Sequence, residues 1–177
     1  MRIIGGIYKG RVLYGFDGFD IRPTSDRTRE SLFNILQSRI VGANFLDLFC
    51  GTGAVGIEAL SRGANRVVFN DKDKTSLELT KANLKKINAT ENFATNLGDG
   101  VGYLIQAKET FDIVFIDPPY KGDLGELALN QVVGVLNPNG IVILESEQPF
   151  FSEVEGLIKY DQRKYGRAYL TFFKRED

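Results

Sequence analysis

The sequence predicts an α/β protein in which a mostly parallel sheet is covered by helices on both faces. Three observations carry that prediction. Strand-like runs alternate with helical stretches from residue 44 onward; those runs are apolar almost throughout, as in Ile113-Val114-Phe115-Ile116; and the first of them leads into a glycine-rich turn, Gly51-Thr52-Gly53-Ala54-Val55-Gly56. Continuous apolar runs mark strands buried on both sides, and the βαβ rhythm is the mark of parallel pairing.

The elements follow in order. Residues 1–21 begin Met-Arg-Ile-Ile-Gly-Gly and carry short apolar pieces, Ile3-Ile4 and Val12-Leu13, between glycines, which predicts a small β hairpin or meander with its bases outward. Ser25 or Asp26 then caps a helix over 22–40, with Leu32, Phe33, Ile35 and Leu36 at helical spacing. Strands are predicted at 44–48, 66–70, 92–95, 111–116 and 140–145, with helices near 55–62, 73–88, 100–108 and 122–136. A short helix at 150–157 precedes a closing pair of strands, Ile158-Lys159-Tyr160 and Ala168 to Phe173, one inserted antiparallel. No repeat or linker divides the chain, so 1–177 reads as one domain: an N-terminal β extension (1–21), a helix (22–40) and a core (44–177).

Composition narrows the function classes. With 43% hydrophobic and 25% charged residues over 177 positions, the chain has the profile of a soluble globular domain. Cys50 is its only cysteine and histidine is absent, which excludes an internal disulfide and leaves no Cys/His metal cluster. The first 20 residues lack the apolar stretch of a signal peptide, and no run reaches the roughly 18 apolar residues of a membrane span. A cytoplasmic, metal-free monomer without a membrane partner is the expectation.

The net charge of -1 conceals a segregation. Residues 1–29 carry six Lys/Arg against three acids and residues 159–175 six against Asp161 alone, whereas 30–158 holds ten bases and 17 acids. Basic termini around an acidic body form a phosphate-binding rim if the fold joins them. Otherwise they are ordinary solvated charge.

Three acids and a Pro-Pro turn carry the chemistry. Gly51, Gly53 and Gly56 form G-x-G-x-x-G after a strand and at a helix start, where ligand backbone approaches closely. Alone this suggests a dinucleotide site or a tight turn. Asp47 decides between ligands: a carboxylate at that strand end repels a pyrophosphate and suits the ammonium of S-adenosylmethionine. Asp71, 20 residues after Gly51, is placed to accept from ribose hydroxyls, with Asp73 as competitor; Asp99 either bonds an adenine amine or caps the next helix. Asp117-Pro118-Pro119-Tyr120 follows the strand at 111–116. Prolines offer no N–H, so the Pro118 carbonyl is free to face a substrate. With the Asp117 carboxylate it provides two acceptors for the two hydrogens of an exocyclic base amine, favouring the pyramidal geometry that attack on a methyl group needs. Tyr120 is positioned to stack on an extruded base. Cys50, in the glycine loop, reads as a packing residue.

Phe45-Leu46-Asp47-Leu48-Phe49-Cys50-Gly51-Thr52-Gly53, Asp117 to Tyr120 and the segment Arg22-Pro23-Thr24-Ser25-Asp26-Arg27-Thr28-Arg29-Glu30-Ser31-Leu32-Phe33-Asn34 together resemble the RsmD family, bacterial 16S rRNA guanine-N2 methyltransferases. The likeness runs from the opening Met-Arg-Ile-Ile-Gly-Gly to Tyr165-Gly166-Arg167. It implies a Rossmann-like, seven-stranded class I methyltransferase sheet that uses S-adenosylmethionine, with 16S rRNA, in a small-subunit particle or assembly intermediate, as partner. It further implies Asp47, Gly51 and Gly53 beside the methionine part, Asp71 at the ribose, Asp99 at the adenine, and Phe49, Lys72, Gly100 and Thr24 among the cofactor contacts. Asp117, Pro118 and Tyr120 become the catalytic set, and Arg2, Lys9, Arg11, Arg22, Arg27, Arg29 and Arg167 the RNA contacts. Asn70, where relatives often have an acid, leaves the ribose to Asp71 or its neighbour. Competing readings are an adenine-N6 methyltransferase on DNA or RNA, a protein-glutamine methyltransferase, an NAD-binding oxidoreductase and a non-catalytic assembly factor. The oxidoreductase leaves Asp47 and Asp117 to Tyr120 unexplained.

Overall fold

Alternation along each strand decides how the sheet is covered. In the strand Phe111–Ile116, Ile113 and Phe115 join one apolar cluster while Val114 and Ile116 join another on the opposite face. The same division holds in Leu136–Ser146, where Ile141 and Ile143 face one way and Val142 and Leu144 the other. A strand whose successive side chains are all apolar needs cover on both sides, and helices supply it. The computed structural model describes residues 1–16, 24–119 and 122–176.

In chain order the elements are α1 (Asp26–Ile35), β1 (Asn44–Asp47), α2 (Ala54–Ser61), β2 (Arg66–Asp71), α3 (Lys74–Lys86), β3 (Phe93–Leu97), α4 (Gly100–Gln106), β4 (Phe111–Ile116), α5 (Leu124–Val132), β5 (Leu136–Ser146), β6 (Leu157–Tyr165) and β7 (Ala168–Arg175). A single 3₁₀ turn, Val133–Val135, joins α5 to β5. The seven strands lie in the order β3-β2-β1-β4-β5-β7-β6. Pairing is parallel from β3 to β5, and β7 inserts antiparallel between β5 and β6. Residues from α1, α2 and α3 pack in one cluster, and residues from α4 and α5 in the other. The strand order reverses between β1 and β4, so a crevice forms beyond their carboxyl ends.

Several predicted elements change extent. The helix expected over 22–40 is the shorter α1, capped by Ser25, whose Oγ accepts the Thr28 N–H at 3.1 Å; residues 22 and 23 lie outside the described residues. Among the described residues, the N-terminal β extension expected over 1–21 has a single Arg2–Val12 bridge around turns, fastened to α2 where Glu58 accepts the Ile4 and Gly5 N–H groups at 2.9 and 2.8 Å. The helix expected at 150–157 is absent. Its backbone is spoken for elsewhere: the Phe150 N–H donates to Gln162 Oε1 at 2.9 Å, and Gly156 turns left-handed at φ +76° as Leu157 N–H bonds the Val154 carbonyl. Among the described residues, no helix is long and apolar enough to cross a membrane.

Candidate active site

Asp47 ends β1 opposite Phe115 of β4, and Asp117 follows two residues after Phe115. Both therefore stand at the carboxyl ends of neighbouring strands, at the point where the strand order reverses. A cavity of about 390 Å³ opens there, lined by Asp47, Phe49, Gly51, Asp71, Asp117 and Pro118 among others. Its size suits a nucleoside-sized ligand.

Local sequence explains the cradle. Gly53, at φ +77°, is the N-cap of α2, and a Cβ there would sit 2.8 Å from the Thr80 methyl. A Cβ on Gly56 would lie 2.3 Å from the Phe69 ring, so this glycine lets α2 press onto the sheet. Gly51, at φ +53°, differs: nothing lies within 4 Å of its missing Cβ, which would enter open space. Of the three glycines, Gly51 keeps room for a ligand, whereas Gly53 and Gly56 serve turn and packing.

The carboxylates are held by backbone donors. Asp47 is 2% exposed, and its Oδ2 accepts the Gly56 N–H at 2.9 Å in the first turn of α2. Burial, opposed by that bond and reinforced by Asp71, pushes its pKa up to about 7. Such a group gains strongly from a cation. Asp71 accepts the Gly51 N–H through Oδ2 and the Asp73 N–H through Oδ1, each at 2.9 Å, so one side chain fixes the glycine loop and the turn into α3. Asn70 is fully buried and donates to the Leu48 carbonyl at 2.9 Å, which removes it as a ribose contact and leaves Asp71, with Asp73 beyond it, on the cavity.

Asp117 is partly buried, and its pKa lies well above the ordinary carboxylate range because of burial first, then the charges of Glu145 and Asp47. Glu145 stands at the carboxyl end of β5, one residue past the Leu144 that pairs Ile116. The Thr24 hydroxyl donates to its Oε2 at 2.9 Å. Thr24 lines the first cavity and also a second, of about 310 Å³, between the start of α1 and the β6–β7 turn. Pro118 is seated against α5, where a Cβ on Gly125 would come within 3.3 Å of its ring.

The family described as Conserved hypothetical protein 95 matches residues 1–174. The ribosomal RNA small subunit methyltransferase D of Escherichia coli K12 is 38% identical over 155 residues, covering 88% of this chain and 76% of that protein. The Bacillus subtilis protein YlbH is 34% identical over 182 residues, 99% of each chain. The chain belongs to the RsmD family. The solved structure of yhhF from Escherichia coli superposes with a TM-score of 0.88 at 33% identity, covering 99% of this chain and 98% of that one.

Within this RsmD-family fold the sequence-derived residues divide. Asp47, Phe49, Gly51, Asp71, Lys72, Thr24, Asp117 and Pro118 line the first cavity. Gly53 supports it from behind. Asp99 does not line it: exposed, it caps α4 by accepting the Gly102 N–H at 2.8 Å, the alternative the sequence had left open. Gly100 acts through Phe49, since a Cβ there would meet that ring at 2.7 Å. Tyr120 and Arg22 fall outside the described residues.

The expected basic rim is corrected in two places. Arg29 is fully buried: its guanidinium donates to the Arg2 carbonyl at 2.7 Å and to Asp26 at 2.5 Å, with Glu58 3.9 Å away, so it is a structural cation and no phosphate contact. Arg11 bonds the Ile87 carbonyl at the far end of α3, roughly 20 Å along that 13-residue helix from the cavity end. Arg2 and Lys9 are exposed on the N-terminal segment. Arg27 and Arg167, from opposite ends of the chain, do meet on the second cavity, joined by Lys164. Sequence reasoning missed Lys164 and Glu145; the signal for Glu145 was an acid directly after the apolar run Ile141 to Leu144, as Asp117 follows Ile113 to Ile116. Cys50 is buried beside Thr80, and burial pushes its thiol pKa far up, which fits packing. Among the described residues no group of His, Cys, Asp or Glu is arranged to hold a metal.

Proposed function

We propose that this chain transfers the methyl group of S-adenosylmethionine to the exocyclic N2 amine of a guanine in small-subunit (16S) rRNA, acting in the cytoplasm as a single methyltransferase domain. One observation carries the reading: a single cavity is lined by Asp71 at the end of β2, Asp47 at the end of the neighbouring β1, and Asp117 and Pro118 just past the next strand, β4. A cofactor site and a pair of amine acceptors thus share one space. The relatives' name, ribosomal RNA small subunit methyltransferase D, supports the substrate.

The residues fit the cofactor by their chemistry. Asp47 is a buried carboxylate in need of a cation, which the methionine ammonium provides; Asp71 faces the ribose; Phe49 covers the adenine; Gly51 leaves room for the ligand. S-adenosylmethionine, when bound, supplies an electrophilic methyl on a sulfonium. Asp117 and the Pro118 carbonyl accept the two N–H groups of the guanine amine, aim its lone pair, and hold it there so that proximity supplies much of the rate. As the N–C bond forms, the amine becomes strongly acidic and gives a proton to Asp117 or to water. Arg27 and Arg167 contact the RNA backbone, with Arg2 and Lys9 as outlying contacts, and the acceptor is rRNA in a small-subunit particle or assembly intermediate.

The test is labelled methyl transfer to 16S rRNA, naked and in small-subunit particles, followed by nucleoside analysis. Labelled N2-methylguanosine is the expected product. Labelled N6-methyladenosine, or no transfer to either substrate, overturns the reading.

A further inference from the structure

Asn83, on the inner face of α3, is fully buried and holds two distant parts of the chain with one amide. Its Oδ1 accepts the Tyr14 N–H at 2.7 Å and its Nδ2 donates to the Tyr14 carbonyl at 3.1 Å, so the side chain pairs both backbone groups of Tyr14. The same Nδ2 donates to the Thr52 carbonyl, in the glycine loop, at 2.9 Å. On the preceding turn of α3, fully buried Thr80 donates its hydroxyl to the Gly51 carbonyl at 3.0 Å. On the following turn, the Lys86 ammonium stands 3.8 Å from the centre of the Tyr14 ring. α3 thus clamps the N-terminal segment beside the loop that lines the first cavity. Two residues beyond Tyr14, Phe16 lines that cavity together with Thr52, Asp73 and Ser76. Phe16 is only partly buried, so its ring has apolar surface left for a ligand to cover.

Resting on the reading that this cavity takes S-adenosylmethionine, we infer that Phe16 is a wall of the cofactor site and that Asn83 is the positioning residue that delivers it. The carboxylates of Asp47 and Asp71 answer the cofactor's ammonium and ribose hydroxyls. Its ribose carbons and methylene chain need apolar cover, which no carboxylate gives. A partly buried ring at the cavity removes such surface from water and is desolvated in return. Asn83 fixes where that ring can stand, because Phe16 lies two positions from a backbone paired on both sides. The amide has two N–H donors and spends one on Tyr14 and one on Thr52, so segment and glycine loop are held in register by one group. The coupling is reciprocal: a docked segment raises cofactor affinity, and bound cofactor tightens the segment's hold on α3 by the same factor.

The experiment measures the affinity for S-adenosylmethionine and S-adenosylhomocysteine by titration calorimetry, and the hydrogen exchange of the Tyr14 amide with and without S-adenosylhomocysteine. Phe16→Ala should weaken both ligands about tenfold, and Phe16→Leu, which keeps apolar cover, should restore most of the loss. Ligand should slow Tyr14 exchange several-fold in the native protein and much less in Phe16→Ala. Asn83→Asp keeps the acceptor for the Tyr14 N–H and turns the two donors into a carboxylate oxygen facing two carbonyls. It should weaken ligand binding several-fold, and by less when Phe16 is already alanine. A merely structural loss would cost the same in both backgrounds. Native affinity in folded Phe16→Ala overturns the inference, whether or not Asn83→Asp folds. Equal costs of Asn83→Asp in the two backgrounds, or Tyr14 exchange indifferent to ligand, overturns the role of Asn83. Failure of the underlying reading looks different: the native protein then binds neither ligand.

Discussion

Asp47 Oδ2 accepts the Gly56 N–H at 2.9 Å, tying the end of β1 to the first turn of α2 across the glycine loop. The bond sets the loop and fixes a carboxylate where it is poorly solvated. Its pKa, raised from 3.8 to about 7, has consequences for stability and for binding.

Between pH 4 and pH 7 the folded protein retains a proton on Asp47 that the unfolded chain has released. Folding stability therefore falls as pH rises through that window, by up to roughly 4 kcal/mol from this group. Asp47→Asn should flatten that part of the stability curve and raise the ligand-free protein's thermal midpoint at pH 8, measured by calorimetry. The same substitution should cost at least about tenfold in S-adenosylmethionine affinity, since the ion pair between the Asp47 carboxylate and the ligand's ammonium is lost. Native affinity should rise with pH up to about 7 and then level.

Asp117 is the better acceptor when ionised, and burial together with Glu145 keeps it protonated to higher pH than an ordinary carboxyl. The acid limb of kcat/KM should accordingly have its midpoint above the usual carboxylate range. Glu145→Gln removes the neighbouring negative charge and should move that midpoint to lower pH. A pH-rate profile of the two proteins checks the direction of the shift.

Arg29 and Arg27 are two residues apart on α1 and should behave oppositely. Arg29→Met removes the cation beside buried Glu58 and the donor to the Arg2 carbonyl, which should cost about 3–5 kcal/mol of stability. The RNA affinity of its folded fraction should remain native. Arg27→Ala should leave stability within about 0.5 kcal/mol and weaken RNA binding, most clearly at low salt. Denaturant unfolding and salt-dependent binding separate the two.

Gly53→Ala forces a side chain into the left-handed region and against Thr80. It should destabilise by about 1–3 kcal/mol and weaken cofactor binding, because the start of α2 must shift. Unfolding and titration calorimetry on one sample check both.

The parallel sheet was legible because its signal is local and redundant: each apolar strand of 66–71 or 111–116 is followed by a turn and a helical period. The acids were legible for a related reason, since Asp47, Asp71 and Asp117 each directly end a strand or follow one. What escaped reading depends on distant partners. Val154 and Leu157 have helical spacing, yet Gln162 on β6 captures the Phe150 N–H and Gly156 reverses the chain. Arg29 looks like its basic neighbours in sequence; only the fold brings the Arg2 carbonyl and Glu58 to it. Glu145 gains its meaning from Thr24, 121 positions away.

The most direct test is single-turnover methyl transfer with native protein and Asp117→Ala, each saturated with S-adenosylmethionine and offered the same small-subunit rRNA. Loss of an acceptor aimed at the reacting amine should lower the transfer rate constant by about 100-fold or more while cofactor affinity stays within a few-fold of native. Transfer by Asp117→Ala at the native rate would contradict the assignment of this strand end as the place where the methyl group is received.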